Sequence, residues 1–180
     1  MFADMREQIE PALIASTPAS LGCTCRRLRR VARLVTQLYD EALAAHDLTI
    51  AQFGLMTTIA EHRARQAKDI SIGALASTVG LDPTTLNRNL NTLQREKLVE
   101  VRPDKKDRRV RAVALTSTGR QRLKAAIPAW RAAQADLEHR LGGETALALN
   151  QTLDGARDRL IASLRAPAGA MGSHSAAPQA

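Results

Sequence analysis

Three groups of side chains in this sequence have types and spacings that suit a particular chemistry. The first is Thr84, Thr85, Asn87, Arg88, Asn91 and Arg95, within DPTTLNRNLNTLQR. Their hydroxyls, amides and guanidiniums donate to base edges and phosphate oxygens. The second is the run Lys105, Lys106, Asp107, Arg108, Arg109, whose cations suit a polyanion. The third is Cys23 and Cys25 followed by Arg26, Arg27, Arg29, Arg30 and Arg33. A thiol near a helix N-terminus and positive charge is more acidic and more reactive, and arginine forks match carboxylates and phosphates. The ordinary alternatives are a core cysteine and a solvated charged face.

The first two groups need elements to hold them, and Ser71 to Thr116 supplies these. Ser71 is placed to cap a helix that buries Ile72, Leu75, Ala76 and Val79. Gly80 stops it in the left-handed conformation that a tight turn needs. Asp82 as N-cap and Pro83 at the first helical position open a second helix, with Leu86, Leu90, Leu93 and Leu98 inward and the donors outward. Alternation of Val99 and Val101, then Val110, Ala112 or Val113 and Leu115, predicts a hairpin, with Pro103-Asp104 opening its turn. Ile70 and Ser71 are expected to add a short third strand. From Asp82 to Arg111, nine Lys or Arg stand against five acids, so the hairpin tip is basic. Arg109 is the residue expected in a DNA minor groove, with Asp107 on the same side of the strand holding its guanidinium. Lys105, Lys106 and Arg108 are expected to neutralise phosphates, a salt-dependent and sequence-blind contribution.

The run from Leu75 to Leu123 resembles the DNA-binding core of the multiple-antibiotic-resistance regulator (MarR) family. Its most specific part is the wing, Asp107-x-Arg109, then Val113-x-Leu115-Thr116 and Gly119; Leu48, Thr49, Gln52 and Phe53 match a further family signature. Asn89 departs from the pattern, being polar where the family has an apolar residue. The resemblance covers roughly residues 21 to 164. It implies a triangular homodimer acting on double-stranded DNA, most often as a repressor, and a small effector, an aromatic acid or its coenzyme A thioester. Arg27, Arg30 and Arg33 are the residues named as anionic anchors for it. Cys25 also lies at the offset of the peroxide-sensing cysteine in the organic-hydroperoxide branch, with Tyr39 at one helper-tyrosine position and Arg29 where that branch has the other. A thiol-sensing repressor is therefore the alternative, and an architectural DNA-binding protein without a sensor is a third.

The rest of the chain is read as support. Residues 1–20 hold a helix candidate from Phe2 to Ile9 broken by Pro11 and Pro18, either an arm on a partner subunit or a mobile terminus. A long helix from Leu21 to about His46 carries Leu21, Cys25, Leu28, Ala32, Val35, Leu38 or Tyr39 and Ala42 on one stripe. On such a helix Cys23 and Cys25 are badly placed to pair with each other. The next helix, Ile50 to about Arg63, turns Phe53, Met56 or Thr57 and Ala60 inward, and Ala64 to Asp69 is polar linker. After the wing come a helix from Ser117 to about Leu141 with Pro128 inside, and another from Thr145 to about Leu164. From 165 on, Ala, Pro, Gly, Ser and Gln dominate, the composition of a disordered tail.

The expected architecture is mainly α with a small β wing: a winged helix-turn-helix domain over 47–116 plus a helical dimerisation region over 21–46 and 117–164. With 180 residues and a formal net charge of +8, the chain is long enough for a real core and favours a polyanionic partner. No apolar run approaches the roughly 20 residues that span a bilayer and no cleavable signal opens the sequence, so a cytoplasmic location without a membrane partner is expected. No phosphate-binding glycine loop or nucleophile motif is present, and His46, His62, His139 and His174 share no spacing. Neither an enzyme nor a cofactor is expected. A zinc site would have to gather Cys23 or Cys25 with His46 and an acid, and no metal is expected.

Overall fold

The computed structural model describes residues 22–104 and 107–165. The expected N-terminal arm, the tail beyond Arg165, and Lys105 and Lys106 lie outside the described residues. In chain order the elements are α1 (Thr24–Leu43), a 3-10 turn (Ala44–His46), α2 (Ile50–Gln66), β1 (Ile70–Ser71), α3 (Ile72–Val79), α4 (Pro83–Arg95), β2 (Val99–Pro103), β3 (Arg111–Leu115), α5 (Ser117–Leu141) and α6 (Gly143–Arg165). The chain divides after Ala135 into two compact units.

Side-chain caps fix where α2 and α3 begin. Thr49 and Gln52 form a reciprocal capping box on α2: the Thr49 hydroxyl accepts from the Gln52 N–H at 3.2 Å, and Gln52 Oε1 accepts from the Thr49 N–H at 2.9 Å. Asp40 Oδ1 accepts the next free amide, that of Ile50, at 2.6 Å. The Ser71 hydroxyl accepts from the Ala74 N–H at 3.1 Å and starts α3. Gly80, at φ +66°, ends α3 as expected. At the end of α4 the left-handed residue is Lys97, at φ +57°, and the Leu98 N–H returns to the Leu93 carbonyl at 2.8 Å.

The three strands run antiparallel in the order β1-β3-β2. Ile70 pairs with Val113 and Ser71 with Ala112, while Val99 pairs with Leu115 and Pro103 with Arg111. The first unit's core joins Leu43, Leu48, Phe53, Leu55, Met56 and Ile59 to Leu75, Leu86, Leu90, Leu93, Leu98 and Val113. Phe53 stacks on Trp130 of α5 with ring centroids 5.9 Å apart. Tyr39 donates a hydrogen bond to Gln134 Oε1, and Arg122 donates to the His46 carbonyl at 3.0 Å, so α5 is tied to the end of α1.

Two expectations need correction. Val110 is not on a strand: β3 begins one residue later, and Val110 sits exposed in the connecting loop. Of the stripe expected on α1 only Tyr39 is buried, with Leu43 near it; Cys25, Leu28 and Ala32 are exposed, and so are Val31 and Leu34 off the stripe, Leu34 by 62%. In the second unit, α6 likewise leaves Leu147, Leu153, Leu160, Ile161 and Leu164 exposed.

Candidate nucleic-acid interface

The helix-turn-helix is built from α3, the Gly80 turn and α4. Asp82 caps α4 through one carboxylate oxygen, which accepts from the Thr84 and Thr85 N–H groups at 3.0 Å each. Its other oxygen accepts the Thr85 hydroxyl at 2.6 Å. The Thr85 hydroxyl bond, then its backbone bond, holds the Asp82 carboxyl below its ordinary pKa of 3.8. With Leu86, Leu90 and Leu93 buried, the opposite face carries Thr84, Arg88, Asn91 and Arg95, all exposed. Spacings of four, three and four place these four side chains in one row along the helix. Asn87 flanks the row on one side. Thr85 flanks it on the other, its hydroxyl already committed to the cap. Asn89 is half-buried and donates to the Thr85 carbonyl at 3.0 Å, which satisfies the amide where the family has an apolar side chain.

The wing's tip differs from the expected geometry. Asp107, Arg108 and Arg109 lie in the loop between β2 and β3, not on a strand, so Asp107 and Arg109 do not share a strand face. Asp107 acts on backbone instead: its Oδ1 accepts from the Arg109 N–H at 3.0 Å. Asp104 closes the loop, its N–H donating to the Val110 carbonyl at 2.8 Å. Arg108 and Arg109 are exposed. The short loop, rather than an ion pair, aims Arg109.

A carboxylate passed over in sequence holds the base of the wing. Asp69, whose side chain is 13% exposed, receives Arg63 of α2 at 3.0 Å and Arg102 of β2 at 2.7 Å. Arg102 also reaches Glu100 at 3.0 Å. The Asp69 hydrogen bond and charge, then the Glu100 charge, raise the Arg102 pKa. Residues 33 apart in sequence have no local periodicity to reveal them, and Asp69 falls in a stretch whose composition is that of a polar linker.

The third group lies at the start of α1. Cys23 precedes the helix as its N-cap residue and is half-buried, while Cys25 sits in the first turn and is exposed, both as free thiols. Arg26, Arg27, Arg29, Arg30 and Arg33 are all exposed, and the Arg27 guanidinium lies against Gly22. The pieces brought together are thus the recognition row and the wing loop on one unit, with the arginine face on α1 of the same unit. Among the described residues, no three His, Cys, Asp or Glu side chains gather as a metal site.

A buried two-helix corner, an exposed polar row and a basic hairpin define a DNA-binding winged-helix regulator. A model described as the MarR family matches residues 46–110. The transcriptional regulator MosR of M. tuberculosis is 31% identical over 76% of this chain and 96% of its own, with a TM-score of 0.62. Its complex with DNA matches at 33% identity, 75% and 98% coverage, and a TM-score of 0.60. A mutant MarR from E. coli complexed with operator DNA matches at 25% identity, 73% and 91% coverage, and a TM-score of 0.63. CouR from Rhodococcus jostii, bound to p-coumaroyl-CoA, matches at 25% identity, 72% and 87% coverage, and a TM-score of 0.60. A comparison with curated proteins finds no match. The chain belongs to the MarR family of DNA-binding transcriptional regulators.

Proposed function

We propose that this protein is a homodimeric, sequence-specific repressor, working in the cytoplasm, that leaves a pseudo-palindromic operator when a small anionic effector binds. The observation that carries the reading is the exposed row Thr84, Arg88, Asn91 and Arg95 on a capped helix beside the Arg108-Arg109 loop. Asn91 and Arg88 are the base readers, Arg109 enters the minor groove, and Lys105, Lys106 and Arg108 hold phosphates. The exposed Leu28, Val31 and Leu34 of α1, and the apolar run on α6, support burial against a second copy. Residues 21–46 and 117–164 then form the dimerisation region and 47–116 the DNA-binding domain. A two-fold dimer presents its recognition helices about one DNA turn apart, roughly 34–36 Å. Arg27, Arg30 and Arg33 supply the anionic anchors, a reading supported by the coenzyme A thioester held by CouR. No helix among the described residues is long and apolar enough to cross a membrane.

The test selects an operator from random duplex DNA and titrates Arg109→Ala against it over a range of salt. Loss of a groove contact is expected to weaken binding by about 1–3 kcal/mol. Unchanged affinity together with an unchanged salt slope would remove the wing from the interface.

A second reading is favoured by the exposure of Cys25 in the first turn of α1, beside five arginines. It makes the protein a thiol-sensing repressor. Hydroperoxide is then expected to release the wild type from DNA but not Cys25→Ser, and equal responses would end this reading.

A further inference from the structure

Along β2 the forces that hold the strand change. Val99 at its start is buried in the core, but Glu100, Arg102 and Pro103 are exposed, so apolar packing gives out toward the wing tip. β2 is also an edge strand, bonded to β3 alone, and Pro103, opposite Arg111 at the last rung, has no N–H to give. What grips that end is Asp69. Its Oδ2 accepts from Arg102 Nη2 at 2.7 Å and Nε at 3.1 Å, and its Oδ1 accepts from Arg63 Nη1 at 3.0 Å. The chain after Asp69 is anchored in turn: Ile70 is buried and pairs with Val113, while Ser71 pairs with Ala112 and caps α3. Arg102 pairs with Ala112 as well, one rung below the end of the hairpin ladder. Beyond it the loop is bonded to itself, from the Asp104 N–H to the Val110 carbonyl, from the Val110 N–H to the Asp107 carbonyl, and from the Arg109 N–H to Asp107 Oδ1. A loop braced in this way moves with the hairpin end that carries it.

We propose that Asp69 is a positioning residue for DNA recognition: through Arg102 it fixes the wing loop relative to the start of the helix-turn-helix, so that Arg109 and the row on α4 meet one duplex at a set offset. Contacts from two elements reinforce each other when both are held in place beforehand, whereas a wing free to swing loses that ordering entropy on binding. Charge makes the sign of the effect diagnostic. Asp69 is an acid beside a basic wing, so by electrostatics alone its removal strengthens binding to any duplex. Positioning predicts the reverse, and for the operator only. The operator arm of the test rests on the proposed groove role of Arg109; the hold on the loop does not.

The experiment compares Asp69→Asn, Arg102→Gln and Arg63→Ala in the full-length protein. Without DNA, NMR relaxation of the Arg108, Arg109 and Val110 amides reads the loop. Wider motion is expected in the first two variants and not in Arg63→Ala, which leaves the bond to Arg102 in place. Unchanged relaxation in Asp69→Asn, or an equal response in Arg63→Ala, would overturn the proposal. With DNA, a selected operator and a scrambled duplex are titrated in parallel. Asp69→Asn is expected to weaken operator binding about fivefold or more, while affinity for the scrambled duplex holds or rises. Equal losses on both duplexes would reduce Asp69 to a structural part and overturn its positioning role. Added to Arg109→Ala, Asp69→Asn is expected to cost no further operator affinity, because the side chain it positions has gone; additive losses would also overturn the proposal. Should Asp69→Asn fail to fold by circular dichroism, Arg102→Gln carries the relaxation and double-mutant arms. If Arg109→Ala alone leaves operator binding unchanged, the proposed function loses its wing contact, and the relaxation arm still decides the clamp.

Discussion

Asp82 and Asp107 show how far single acidic residues shape a basic surface. Asp82 gives one oxygen to two backbone N–H groups and the other to the Thr85 hydroxyl, and Asp107 accepts from the Arg109 N–H, so each fixes the chain that carries the cations. Asp82 was legible from sequence because its role is local and Pro83 follows it. Alternation alone places Asp107 and Arg109 on one strand as partners, but the strand begins only at Arg111. Since its folded pKa is lowered, the Asp82 cap contributes fully above the ordinary 3.8 and is lost as pH falls through the lower folded value. Asp82→Asn keeps an N-cap acceptor but does not titrate. Its melting temperature is therefore expected to fall less steeply than the wild type's below pH 4, measured by circular dichroism; parallel profiles would show that the cap is not coupled to stability.

Between elements, the tightest joint is where α5 meets the start of β2. The Leu98 carbonyl accepts the Thr116 N–H at 3.1 Å, and the Thr116 hydroxyl donates to the Lys97 carbonyl at 2.7 Å and caps the Gly119 N–H at 2.9 Å. A Cβ on Gly119 would stand 2.0 Å from the Leu98 carbonyl oxygen. The glycine of the wing pattern is thus a matter of space, since the obstacle is backbone and cannot rotate away. Gly119→Ala is expected to destabilise the protein by about 1–3 kcal/mol in urea unfolding, the usual cost of overpacking. An unchanged midpoint would mean that α5 can shift freely. Helices and hairpin were readable because caps, glycines and periodicity are local signals. The Asp69 clamp and the contact at Gly119 were not, because each depends on where distant segments meet.

At the scale of the whole molecule, α1 leaves Leu28, Val31 and Leu34 exposed and α6 leaves Leu147, Leu153, Leu160, Ile161 and Leu164 exposed. The stripe on α1 was legible as a pattern, but its exposure was not, since periodicity marks a face that wants covering without saying what covers it. Val31 and Leu34 fall outside that pattern, although both are exposed on the same helix as Leu28. Leu28→Glu with Leu34→Glu is expected to convert a dimer to monomers in sedimentation and to lose most operator affinity, with the fold of the first unit's core kept. A dimer that persists would place the partner elsewhere. The sheet carries a further consequence. Ser71 pairs with Ala112, so α3, α4, β2 and the wing loop are strung between two bonded residues, and β3 is held on both sides. In chain-entropy terms, doubling the length of such a loop costs only about 0.6 kcal/mol. The tip of the wing is therefore the cheapest place for sequences of this kind to diverge: insertions there leave the register of the strands beneath them fixed.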